Sequence, residues 1–250
     1  MIAPFPSPVL EWHNDTYASI DPKRPELSAK GKKVVITGEG YGISRDTAIA
    51  FAEAGAAAIA ILGRKEAPLH ETKEFIENKY RISVSTHVTD VADESAVKQA
   101  AKEIGEWHVL DMNAGYFSAP AGTLEISAVN LPAPLLVPAC SYASSKYALL
   151  KVMEVLAAEF PDVHVVTIHP GVIKTNMLEK SGMSVADDFA LAELPAHFTV
   201  WISSPEAAFV RGKFVSSNWD VDELKKAAKK IAGTDGLLTT GLHYSPELLA

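Results

Sequence analysis

The stretch "VVITGEGYGIS" at 34–44 constrains this chain more than any other. A β-branched run ends in a glycine, two more glycines follow at alternate positions, and a helix-forming run begins at once. Val, Val, Ile and Thr in succession favour a buried strand. Glycines 38, 40 and 42 let the backbone turn in conformations that other residues avoid. A helix starting just after such a turn aims its unpaired N–H groups and the positive end of its dipole back at the turn. The junction therefore calls for an interior strand, a tight loop and a helix whose N-terminus receives an anion.

The same rhythm continues. "AIAIL" (58–62) reads as a strand and "PLHETKEFIENKY" (68–80) as an amphipathic helix. "ISVSTHV" (82–88) reads as a strand, Asp93 or Glu94 opens a helix to about Ile104, and "WHVLDMN" (107–113) is a fourth strand. Strands alternating with helices make an α/β fold: one Rossmann-like, doubly wound parallel sheet with helices on both faces. The rhythm breaks over 116–141, which holds four prolines and no helical period, so the fold is expected to be shortened there. It resumes with a helix at 142–160, a strand at 163–169 and a helical stretch near 196–203. A further helix capped by Ser204, a strand at "GKFV" and a solvated amphipathic helix at 220–232 follow. Residues 1–30 are Pro-rich and aperiodic, which suggests an extended arm ahead of a single domain over 31–250.

Composition narrows the function classes. A net charge of −8 argues against a nucleic-acid or anionic-membrane partner. One cysteine, Cys140, excludes an intrachain disulfide and any multi-cysteine metal site. The eight histidines never fall four apart, and no metal site is expected. No run is apolar enough to cross a membrane. The first residues lack the cationic start and apolar run of a secretory signal, so the cytoplasm is the expected location.

The loop also contains G-x-G-x-G, which suits the S-adenosylmethionine loop of a methyltransferase. That loop usually follows an acidic residue, and an acid usually ends the next strand. Here Thr37 precedes the loop and the second strand ends in Gly63-Arg64. A guanidinium pairs with phosphate in fork geometry, so Arg64 suits the 2′-phosphate of NADP rather than NAD.

With "TGEGYGIS", "MNAG", "YASSK" and "HPGVIKT" in that order, the chain resembles the short-chain dehydrogenase/reductase family, classical type, over roughly residues 32–232. The closing "FVSSNWDVDEL" is similar to fungal members. The resemblance implies that Thr37 steadies the loop and that Gly38, Gly42 and Ile43 lie along the cofactor. Asp90 either contacts the adenine or serves as a turn or cap residue. Asn113, Ala114 and Gly115 would form the floor beside the adenine ribose. Pro170, Gly171, Ile173 and Thr175 would clasp the nicotinamide carboxamide. Ser44 stands where the family has its third glycine.

Two Tyr-x-x-x-Lys pairs compete, Tyr142 with Lys146 and Tyr147 with Lys151. Either spacing puts both side chains on one helix face, so spacing alone does not choose. The first pair opens a helix after a serine-containing turn and reads "YASSK", as the family does, so the resemblance assigns Tyr142 and Lys146 to catalysis. A lysine ammonium nearby is expected to favour the phenolate. Tyr142 then exchanges a proton with a carbonyl or alcohol oxygen as hydride moves.

The family also supplies a serine and a helix asparagine between Asn113 and Tyr142, where this chain is roughly thirty residues short of the family's pattern. If "ISAVN" (126–130) ends the fifth strand, Ser127 is the catalytic serine and the helix is gone. If Asn130 is the helix asparagine, the strand and its serine are gone. The first alignment is preferred. The implied activity is an NADP-dependent oxidoreductase acting on a small-molecule ketone or secondary alcohol. The alternative is a degenerate, catalytically impaired nucleotide-binding scaffold. The family's homo-oligomer is built on the missing helix and is in question here.

Overall fold

A computed structural model of the chain describes residues 7–38, 40–115, 140–175 and 190–241, with only the backbone for 140 and 141. Four parallel strands, β1 (Lys33–Thr37), β2 (Ala58–Gly63), β3 (Ser83–Val88) and β4 (Val109–Met112), form one sheet in the order β3-β2-β1-β4. A second parallel ladder pairs β5 (Thr167–His169) with β6 (Phe214–Ser216). The helices are α1 (Ile43–Glu53), α2 (Glu66–Tyr80), α3 (Glu94–Ile104), α4 (Cys140–Glu159), α5 (Glu193–Ile202), α6 (Val221–Lys226) and α7 (Ala228–Gly233).

Alternation along the strands sorts the core. Val34 and Ile36 of β1, Ile59 and Ile61 of β2 and Val84 of β3 join the main core. They do so with Phe51 of α1, Leu69 and Ile76 of α2, and Phe198 and Trp201 of α5. The intervening residues Val35, Ala60 and Leu62 face the other way, onto Ala100 and Ile104 of α3. Helices thus cover both faces of a parallel sheet, the doubly wound α/β architecture.

Among the described residues the second face is only partly covered. Register pairs Val35 with Leu110 and Thr37 with Met112, so both β4 side chains lie on the α3 face. Yet Leu110 is 40% exposed and Met112 52%. A parallel crossover takes a dozen or more residues, usually as a helix over that face. This chain allots only 113–139 to the whole path from β4 to α4. Among the described residues no strand joins β4 to β5, and the sheet is two separate ladders. Ser127 and Asn130 lie outside the described residues.

Three expectations change in detail. The strand at 163–169 is confined to 167–169, because its partner β6 offers only three residues. The helix at 220–232 breaks at Ala227 into α6 and α7, and it is anchored rather than solvated, with Val221, Leu224 and Ile231 buried. The segment 7–30 carries two 3-10 turns, Ala18–Ile20 and Pro25–Leu27, and buries Val9, Ile20, Leu27 and Ala29 in the main core. Asp93 is the cap of α3, its carboxylate accepting from the N–H groups of Ser95 and Ala96.

Candidate active site

The β1–α1 junction is held from several sides. The Gly38 N–H donates to Leu62 O (2.8 Å), carrying the β1–β2 ladder into the loop. A Cβ on Gly38 would stand 2.7 Å from both side-chain atoms of Ser44 and 2.9 Å from Asn113 Nδ2. Only a glycine fits between them. The hydroxyl of Ser44, fully buried, donates to Tyr41 O (3.1 Å). The residue that departs from the three-glycine pattern therefore fastens the loop to the helix. Gly40 lies against the start of α2, where a Cβ would meet Pro68 O at 2.9 Å, and Thr72 donates to Gly40 O (2.8 Å).

Gly38, Gly40 and Gly42 all have positive φ, and Gly42, the N-cap of α1, brings no side-chain cap. The first N–H groups of α1 are thus left without a capping side chain, directed toward the loop. Thr175 closes the other side, with its Cγ2 3.8 Å from where a Gly42 Cβ would be. Thr37 links the β1 and β4 ends: its hydroxyl donates to Asp111 O (3.3 Å) and accepts from the Ala114 N–H (3.2 Å). The structure therefore brings Gly38, Gly42, Asn113 and Thr175 around one loop at the C-terminal ends of the strands. That is where open α/β sheets bind ligands, and the positive-φ loop with its uncapped helix fits a dinucleotide pyrophosphate.

Arg64 is exposed at the end of β2. Beside it Lys65 holds its ammonium 5.7 Å from the centre of the Tyr41 ring. Lys65 escaped sequence reasoning, since a lysine opening a helix looks like any solvated charge. The Asp90 carboxylate accepts from the Ala92 N–H (3.0 Å), a turn contact at the end of β3. Ile173 is buried in the core and forms a bridge with Ala190.

Tyr142 and Lys146 share a face of α4, both half-buried. The Lys146 ammonium lies over the Tyr142 ring, 5.7 Å from its centre. Burial raises the Tyr142 phenol above its ordinary value and lowers the Lys146 ammonium below its own. The expected depression of the phenol by its lysine is therefore absent in this chain alone, because burial prevails. The rival Lys151 is committed elsewhere: it pairs with Glu154 and donates to Thr240 O (2.7 Å). At the far end of α4, Arg211 donates to Val163 O (3.0 Å), Phe160 O (3.1 Å) and Ala157 O. These contacts hold the helix that carries the pair.

One cluster was not legible in the sequence. Glu11, His13 and Asp220 bring potential ligand atoms within 4.8 Å of one another. His13 Nε2 is 3.0 Å from Asp220 Oδ2, while Asp220 Oδ1 accepts from the Glu223 N–H as the cap of α6. The His13–Asp220 pair fastens the N-terminal segment to the start of α6.

Known proteins resemble this chain in sequence and in fold. Residues 32–137 match the family model described as short chain dehydrogenase. A short chain dehydrogenase/reductase of Claviceps purpurea is 32% identical, with 95% of each chain covered. That alignment runs over 281 positions, more than the 250 residues of this chain, so the relative carries residues with no counterpart here. Among solved structures, L-sorbose reductase from Gluconobacter frateurii in complex with NADPH and L-sorbose superposes with a TM-score of 0.66 at 22% identity. It covers 76% of this chain and 96% of its own. A 3-oxoacyl-[acyl-carrier protein] reductase from Brucella melitensis with bound NAD gives 0.67 at 22% identity, covering 82% and 95%. The fold, the loop at its strand ends and the relationship to the Claviceps protein together place this chain in the short-chain dehydrogenase/reductase family of oxidoreductases.

Proposed function

We propose that the chain is an NADP-dependent carbonyl reductase, with Tyr142 as the proton donor and Lys146 as its partner. The observation that carries this reading is the ammonium of Lys146 seated over the ring of Tyr142 on one face of α4. The cofactor, when bound, supplies the hydride. Gly38, Gly42 and Ile43 would hold its pyrophosphate at the start of α1, Asn113 its adenine-ribose side, and Ile173 and Thr175 its nicotinamide end. Arg64 and Lys65 supply positive charge at the end of β2 for a 2′-phosphate. One solved neighbour binds NADPH and another NAD, so the preference for NADP rests on these two cations.

A protonated phenol suits the reductive direction. A phenol held above its ordinary value keeps its proton through neutral pH. It gives that proton up only to an oxygen that is gaining negative charge, as a carbonyl oxygen does when its carbon accepts hydride. Ser127 would hydrogen-bond the same oxygen. The substrate is a small-molecule ketone, with the secondary alcohol as product.

A second reading has its own support. Among the described residues, the two separate ladders and the exposed Leu110 and Met112 are what a catalytically impaired, nucleotide-binding scaffold would show after losing a crossover. Fluorescence titration with NADPH followed by turnover on a panel of ketones separates the two. Binding with turnover supports the reductase. Binding without turnover, unchanged by Tyr142→Phe, supports the scaffold, and no binding of NADPH or NADH excludes both.

A further inference from the structure

The N-terminal segment, which the reaction does not use, reaches the nicotinamide side of the site through one buried amide. Asn218, 2% exposed, sits just past β6. Its Nδ2 donates to His13 O (2.7 Å) and to Asn14 Oδ1 (3.3 Å), and its Oδ1 accepts from the Ser216 hydroxyl (3.2 Å). Its backbone oxygen accepts from the His13 N–H (2.8 Å). The carboxamide lies directly against Gly171: a Cβ there would stand 2.7 Å from Asn218 Oδ1, at a φ of +84°.

The contacts close a circuit. Val172 O accepts from the Ala190 N–H (3.1 Å), Ile173 bridges to Ala190, and the Leu191 N–H donates to Asn14 O (2.9 Å). The chain thus runs from Asn14 through Asn218 to Gly171, along 171–173 to Ala190, and back through Leu191 to Asn14. Thr175, two residues beyond this ring, is the residue that stands over Gly42. We propose that Asn218 is a positioning residue. It ties the N-terminal segment to the 171–175 strip and so sets how that strip meets the nicotinamide end of the cofactor. The inference rests on the cofactor reading above.

The test compares two probes on the wild type, Asn218→Ala and the milder Asn14→Ala. NADPH engages both ends of the site, whereas adenosine 2′,5′-bisphosphate lacks the nicotinamide and engages only the glycine loop and the β2 end. Asn218→Ala is expected to weaken NADPH about tenfold, the scale of a lost buried amide contact, and to leave the bisphosphate unchanged. Asn14→Ala is expected to shift NADPH in the same direction by less. Equal weakening of both probes, as general destabilisation would give, overturns the inference, and so does no change in either. Those outcomes leave the cofactor reading intact. A wild type that binds neither probe overturns that reading and the inference with it.

Discussion

Lys146 stands one helical turn beyond Tyr142 and places its ammonium over the tyrosine ring, 5.7 Å from the centre. Burial acts on the two in opposite directions, raising the phenol and lowering the ammonium, and both shifts favour the uncharged form. Carbonyl reduction needs the protonated phenol, and a raised value keeps it protonated across the neutral range. Reduction is therefore expected to stay level from about pH 6 to 8, with alcohol oxidation climbing steadily over the same interval. Initial rates in both directions across that range would check this, and a reduction rate that falls through neutrality would count against Tyr142 as the donor.

Arg64 and Lys65 follow β2, next to the glycine loop. Removing both charges, as Arg64→Ala with Lys65→Ala, is expected to raise the dissociation constant for NADPH by about tenfold or more. NADH should be little affected, because only NADPH carries the 2′-phosphate. Titration with the two cofactors reads the difference directly. Equal weakening of both would remove the case for NADP.

Asp111 lies beside Ile36 in the sheet register and points toward the main core, where burial pushes its carboxyl up to about 7. Between the ordinary carboxylate value and about 7 the folded chain keeps a proton that the unfolded chain has released. Its contribution is therefore fully present in acid and is lost as pH rises through that window. Asp111→Asn is expected to raise the melting temperature at pH 8 and to make little difference near pH 4, a gain on the order of a few kcal/mol at most. Thermal unfolding of both proteins at the two pH values tests the sign.

The partly covered α3 face makes a stability prediction of its own. Leu110→Ser or Met112→Ser removes side chains that are only about half covered, at an expected cost below about 1 kcal/mol. Ile36→Ala, in the main core, is expected to cost about 2–5 kcal/mol. Urea unfolding would show the contrast. Comparable costs would mean that the β4 face is covered in solution.

Much of this was legible in the sequence, for identifiable reasons. β1 and β2 announce themselves as short apolar runs buried on both faces, and α2 and α3 by single faces buried at the helical period, down to the cap at Asp93. The glycine loop was legible because each of its three glycines meets positive φ or a close neighbour. The N-terminal segment was not, because Ile20 and Leu27 are single anchors in a Pro-rich stretch and follow no period. The reach of Asn218 across to His13 and Asn14 joins residues two hundred positions apart, and nothing local encodes it. The lean of burial on Tyr142 depends on packing around α4, which the Tyr-x-x-x-Lys spacing does not report.

The most direct test is NADPH oxidation with a ketone panel by the wild type, Tyr142→Phe and Tyr147→Phe, with NADPH affinity measured alongside. Loss of the phenolic proton donor at 142 is expected to lower kcat by about 10²- to 10⁴-fold while the NADPH dissociation constant stays within about threefold. Tyr147→Phe should stay near wild type. Turnover undiminished in Tyr142→Phe, or equally diminished in both variants, would contradict the account.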